Sequence, residues 1–124
     1  MDSSSLNFLS KELEKLQTVA GIIGTVIVNN NGLTIISKLP RGIDERRFGA
    51  LAATMYGAME TASTTLGEQL INLTVEFEDS QLIVLNVGQK AIFVSLLELN
   101  IDLGLILIEI EESIKKVQSI LREG

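Results

Sequence analysis

Asp44 to Leu66 reads as one long helix carrying two unlike stripes, and that doubleness limits what the chain can fold into more than any other stretch. At about 100° per residue, Phe48, Leu51, Met55, Met59, Ala62 and Leu66 share one side, the spacing of a face that lies on its own core. Ala50, Ala53, Thr54, Gly57, Thr61 and Thr64 lie roughly 150° away by the same geometry. The second stripe has little area to bury, so it suits close approach of another helix backbone, and a twin copy is the simplest partner. The bland alternative is a wet helix surface filled with Ala for its high helix propensity. Against it stand Gly57, which costs about 1 kcal/mol relative to Ala in a helix interior, and a near absence of charge where solvated faces normally carry it.

The remaining chain alternates helical and strand patterns. Leu6, Leu9, Leu13, Leu16 and Val19 repeat at helical spacing, with Ser3 to Ser5 as candidate N-caps, Lys11, Glu12, Glu14 and Lys15 on the opposite side, and Gly21 as the stop. Ile22 to Val28 and Leu33 to Leu39 are β-branched runs around Asn29-Asn30-Asn31-Gly32, a hairpin signal because Asn and Gly tolerate positive φ. Turn chemistry explains the Asn triplet better than a ligand does.

Pro40 and Gly42 break the strand before Asp44 and Glu45, whose charge suits a helix start, and Gly67 is placed to end that helix. Ile71, Leu73, Val75 and Phe77 then alternate with Asn72, Thr74, Glu76 and Glu78, which predicts a half-polar edge strand. Leu82 to Val87 and Ala91 to Leu97 are apolar on both parities, as strands covered on two faces are. Leu103, Leu107, Ile110, Ile114, Val117 and Leu121 form the stripe of a closing helix. The expected architecture is α/β of the α+β kind. Its order is α-β-β-α-β-β-β-α, a five-stranded mainly antiparallel sheet with the first and last helices on one face and the two-striped helix on the other. At 124 residues a single domain spanning 1–124 is expected.

Composition narrows the chemistry. A net charge of −6, with no basic cluster beyond Arg46-Arg47, argues against nucleic acid. With no His and no Cys, the commonest general base, the thiolate nucleophile and the usual zinc ligands are missing, so an enzyme is not expected, nor any cofactor. Gly21-Ile22-Ile23-Gly24 lacks the third glycine and the helix of a dinucleotide site. Glu76, Glu78 and Asp79 fit charges guarding an edge strand better than a cation site. A trans-acting arginine can stabilise phosphoryl transfer, but Arg46 and Arg47 on the first turn of a helix fit surface ion pairs or partner docking better. Met1-Asp2-Ser3-Ser4-Ser5 lacks the order of a signal peptide and no apolar run reaches the length of a span, so a soluble cytoplasmic protein is expected.

Several segments together resemble the Roadblock (dynein light chain) family, from about Leu6 to Leu121. They are the hairpin of Val26 to Leu39 with its Asn-Gly turn, the Ala- and Thr-rich helix ending in Leu66-Gly67-Glu68, three strands, and a last helix entered through Asn100-Ile101-Asp102-Leu103-Gly104. The resemblance implies a non-enzymatic homodimer in a Roadblock/profilin-like sandwich. Two copies of the family join through the second helix and third strand, here Asp44 to Leu66 and Ile71 to Glu78, into a continuous ten-stranded sheet.

Members commonly regulate or scaffold Ras-like small GTPases, as activating partners (GTPase-activating proteins) in prokaryotic polarity systems or as platforms in eukaryotic complexes; others are motor light chains. The expected dimer interface is therefore Ala50, Ala53, Thr54, Gly57, Thr61 and Thr64 with Asn72, Thr74 and Glu76. Arg46, Arg47, Tyr56 and Glu60 on the exposed rim are the expected GTPase contacts. An adaptor in a larger motility or membrane-associated complex, without effect on GTP turnover, is the alternative. A profilin-like or longin-like ligand sensor fits less well, because four Phe and one Tyr leave little to line a pocket.

Overall fold

Elements α1 (Ser3–Gln17), β1 (Ile22–Asn29), β2 (Thr34–Lys38), α2 (Glu45–Leu66), β3 (Asn72–Glu76), β4 (Gln81–Val87), β5 (Ala91–Leu97) and α3 (Leu103–Glu123) follow in the order that the residue pattern predicts. The structure, a computed structural model, describes residues 2–123; Met1 and Gly124 of the expected 1–124 domain lie outside the described residues. The sheet runs β2-β1-β5-β4-β3, and each pairing is antiparallel. Thus β3 lies at a margin, as its half-polar alternation requires, and β4 and β5 are interior, as their two-faced apolarity requires. No helix among the described residues is long and apolar enough to cross a membrane.

The hairpin between β1 and β2 is held by one side chain: Asn29 Oδ1 accepts the N–H groups of Asn31 at 2.9 Å and Leu33 at 3.0 Å. Only Gly32 takes a positive φ there, so the Asn residues act through their carboxamides and not by tolerating a left-handed backbone. Asn30 Nδ2 in turn donates to Gln89 O, tying this turn to the one between β4 and β5.

Strand parity splits the core in two. Ile27, Ile83, Leu85 and Phe93 pack with α1 and α3, while Val26, Val28, Leu82, Val84 and Val94 pack with α2. The helices therefore lie on the faces that the sequence predicts. Their details differ in five places. Asp2, not Ser3 to Ser5, caps α1, its Oδ1 accepting Ser5 N–H at 2.8 Å. The helix also ends at Gln17, ahead of Gly21, with Thr18 Oγ1 donating to Lys15 O at 2.7 Å. Glu12, expected on the wet side, is buried against α3, where Ser113 Oγ donates to its Oε1 at 3.0 Å and Lys116 Nζ lies 3.7 Å away. The buried row of α3 includes Ile106, Ile110, Ser113, Val117 and Leu121, with Leu103, Leu107 and Ile114 on its flank.

The fifth difference concerns α2. Its buried seat is Gly49, Ala52 and Tyr56, flanked by half-buried Phe48, Ala53 and Met55, whereas Leu51, Met59, Ala62 and Leu66 are exposed. Close approach explains the rotation. A Cβ on Gly49 would come within 2.9 Å of Thr34 Oγ1 and 3.1 Å of Val28 Cγ2, so the helix lies low on β1 and β2 only where the side chain is absent. Replacing Gly49 with Val should therefore cost about 1–3 kcal/mol through overpacking. Denaturant unfolding checks this; an unchanged midpoint would show that α2 is seated elsewhere.

Candidate functional site

The outer surface of α2 and the margin at β3 are one region that the core leaves open. α2 is fixed at both ends: Asp44 Oδ1 accepts Arg47 N–H at 3.1 Å, and left-handed Gly67 closes the last turn. Along the small-residue stripe, Thr54 Oγ1 donates to Ala50 O at 2.9 Å, Thr61 Oγ1 to Gly57 O at 3.1 Å and Thr64 Oγ1 to Glu60 O at 3.2 Å. Because these hydroxyls bond back to the helix, they need no solvent or partner acceptor. The stripe divides in its surroundings. Ala50 and Ala53 face the β1–β2 turn, where a Cβ on Gly32 would lie 3.7 Å from Ala50 Cα and 3.9 Å from Ala53 Cβ. Thr54, Gly57, Thr61 and Thr64 are exposed, and a Cβ on Gly57 would meet nothing within 4 Å.

Larger apolar side chains, set around the helix from that stripe or at the ends of β3, are also uncovered. Leu51 is 55% exposed and Ile71 74%, and Met59, Leu66 and Phe77 are exposed as well. β3 pairs only with β4, placing Leu73 opposite Val84 and Val75 opposite Leu82, on the α2 face. Asn72 and Thr74 stand opposite Leu85 and Ile83, whose core belongs to α1 and α3, and Glu76 shares their parity. The side chains of Asn72, Thr74 and Glu76 therefore point away from α2. They share a backbone margin with it, not a surface. Leu51, Met59, Leu66, Ile71 and Phe77, absent from the expected interface, are exposed apolar side chains of this region, and the alternation of 71–77 already put Ile71 and Phe77 on one parity with Leu73 and Val75.

The four rim residues do not form one patch. Arg46 and Arg47 are exposed beside Leu33 and Thr34 at the start of α2. Of the two expectations, surface ion pairs or partner docking, the first is not met: neither arginine makes an ion pair among the described residues. Glu60 lies 14 residues further on, about 21 Å along the axis at 1.5 Å per residue. Tyr56 corrects the expectation most clearly: at 2% exposure it belongs to the seat of the helix and offers a partner almost no surface. An aromatic ring among Ala, Gly and Met is the bulk that fills the space between α2 and the sheet. Its edge borders a 320 Å³ groove lined by Asn29, Asn30, Glu60, Asn86 and Gln89 among others.

Comparison with known proteins agrees with this geometry. Residues 9–96 match the sequence model of the Roadblock/LC7 domain. An uncharacterized protein of Methanocaldococcus jannaschii is 30% identical over 112 residues, which cover 90% of this chain and 97% of that protein. Myxococcus xanthus MglB superposes with a TM-score of 0.88 at 22% identity, over 94% of this chain and 97% of that one. The gliding protein MglB of Thermus thermophilus gives 0.90 at 17% identity, over 100% and 96%. The three helices and the antiparallel five-stranded sheet described above are the fold that these structures share.

Tyr56 is the only tyrosine, so its titration reads out the seat of α2 directly. Burial pushes its phenol above the ordinary value of 10.0, and the Glu60 carboxylate pushes it the same way. Both favour the neutral ring in the folded state. Stability from this group is therefore complete below pH 10.0 and is lost as pH rises through the folded value. Ultraviolet titration of phenolate should show ionisation above the free-tyrosine value, lowered by Glu60→Gln. Ionisation at the free value in the parent would contradict a buried ring.

Proposed function

Because the chain belongs to the Roadblock/LC7 family, we propose that it is a non-enzymatic cytoplasmic homodimer that regulates or scaffolds a Ras-like small GTPase. The copies close through α2 and β3. One observation carries this reading: Leu51, Met59 and Leu66 on α2 and Ile71 and Phe77 at the two ends of β3 stay exposed, and β3 has one neighbour in the sheet. Exposed apolar surface next to unpaired main-chain donors and acceptors is a hazard that proteins normally cover. A second copy covers both at once. Two β3 strands related by a two-fold axis run antiparallel and extend the sheet, and the same axis brings each α2 against its twin. Fully burying one such side chain contributes about 1.5–3 kcal/mol. Summed over both protomers, even partial burial is of the order of the roughly 4–15 kcal/mol that association costs.

At the paired helices, Thr54, Gly57, Thr61 and Thr64 supply the close-approach strip, with Ala50 and Ala53 at its edge. Asn72, Thr74 and Glu76 contribute through their backbone. Arg46, Arg47 and Glu60 are the GTPase contacts in this reading, and Tyr56 holds the helix that presents them. No residue here is asked to do chemistry. An effect on GTP hydrolysis comes from ordering the switch segments of the GTPase itself, a disorder-to-order mechanism.

Gly57→Leu should push the paired helices apart and weaken dimerisation by about tenfold or more, equal to about 1.4 kcal/mol. Sedimentation equilibrium measures this, and an unaltered association constant would remove the small-residue stripe from the interface. Reversing charge at Arg46 and Arg47 should leave the dimer intact but weaken its binding to the GTPase identified by affinity capture and mass spectrometry, as titration calorimetry would show. Equal affinity in the variant would move the GTPase surface elsewhere.

A further inference from the structure

The first turns of α3 carry apolar surface that neither core uses. Leu105 is 63% exposed and Ile108 56%. With half-buried Ile101 they line a groove of about 550 Å³ between the corner at 19–21, the turn after β5 and α3 itself. That volume falls within the range of about 300–1,000 Å³ typical of binding clefts. Leu105 and Ile108 are three residues apart, so they are neighbours on the helix surface.

Charge gives the groove its sign. Glu98, Asp102 and Glu109 line it, and no Lys or Arg does. Asp102 Oδ1 accepts Leu105 N–H at 3.3 Å, yet its side chain remains exposed. Among the described residues none of the three carboxylates is in an ion pair. Ile101 and Leu103 pack into the core of α1 and α3, so the groove opens on the sheet face opposite α2 and stays free in a dimer built through that helix.

We infer that this groove docks a basic amphipathic helix of a partner protein. Apolar side chains one helical turn apart on that partner sit against Leu105, Ile108 and Ile101, while its Lys or Arg residues face Glu98, Asp102 and Glu109. A strand is a poorer occupant, because β1 and β5 beneath the groove already pair with each other and offer no free edge. An anionic membrane surface would be repelled by the same carboxylates. A second copy of this chain, with its own net charge of −6, would set like charges against each other.

The test uses a fluorescein-labelled Leu/Lys peptide of about 14 residues, long enough to form an amphipathic helix on binding, titrated into the full chain by anisotropy and by backbone amide shifts. Binding should shift amides at 98–109 and weaken with added salt. Leu105→Ser with Ile108→Ser should reduce affinity by about tenfold. Glu98→Gln with Glu109→Gln should reduce it less and flatten the salt dependence. A Leu/Glu peptide should not bind. Leu105 and Ile108 are exposed, so the double variant should melt as the parent does. Shifts confined to α2, equal affinity in the Ser variants, or equal binding of the Leu/Glu peptide would overturn the proposal. So would flotation with anionic vesicles, or a higher-order assembly of the chain that the Ser variants abolish. Neither dimerisation through α2 nor its failure bears on these readouts, so this site and the proposed function stand or fall separately.

Discussion

The close seating of α2 on β1 and β2 governs the rest of the structure. With no side chain at Gly49 and only a methyl at Ala52, the helix lies near Val28 and Thr34, and Tyr56 fills the space that remains. A helix seated on small residues turns its large ones sideways. Leu51, Met59 and Leu66 are thereby carried off the core into solvent, on the side of the sheet that Leu73 and Val75 of β3 also face. The open band is a consequence of how tightly the helix fits, not of a loosely packed core.

The sheet then serves different surfaces on its two sides. The α2 side carries the apolar band, the small-residue strip and the arginine pair, and its margin at β3 is free to lengthen. The other side is closed by α1 and α3, held together in part by the buried Glu12 with its hydrogen bond from Ser113. There the open feature is the acidic groove at the head of α3. A dimer formed on the first side leaves the second available, which suits a protein that brings partners together as much as one that regulates a single partner.

Strand order and facing were readable in the residues because each strand's parity states how many of its sides are covered. The alternating polarity of 71–78 marks a margin, and the two-faced apolar runs at 82–87 and 91–97 mark the interior. The rotation of α2 was not readable. A helical wheel ranks positions by bulk, whereas the seat here is chosen by where bulk is missing, and the atoms that forbid a Cβ at Gly49 belong to other elements. Tyr56 was misplaced for the same reason. Glu12 looked wet because Ser113, the group that satisfies it, lies 101 residues away in the chain. Asn72, Thr74 and Glu76, expected at the interface, turn their side chains to the face opposite α2, because strand parity fixes their facing and only their backbone lies at the margin.

Amide hydrogen exchange along β3 reports on pairing at the sheet margin itself. β3 has main-chain N–H groups on the side away from β4, and pairing with a second copy would protect them. Slow exchange is expected at these positions in a concentrated sample, with progressive loss of protection on dilution, while β4 and β5 remain protected throughout. Rapid exchange at the margin of β3 at every concentration would mean that no second copy closes the sheet.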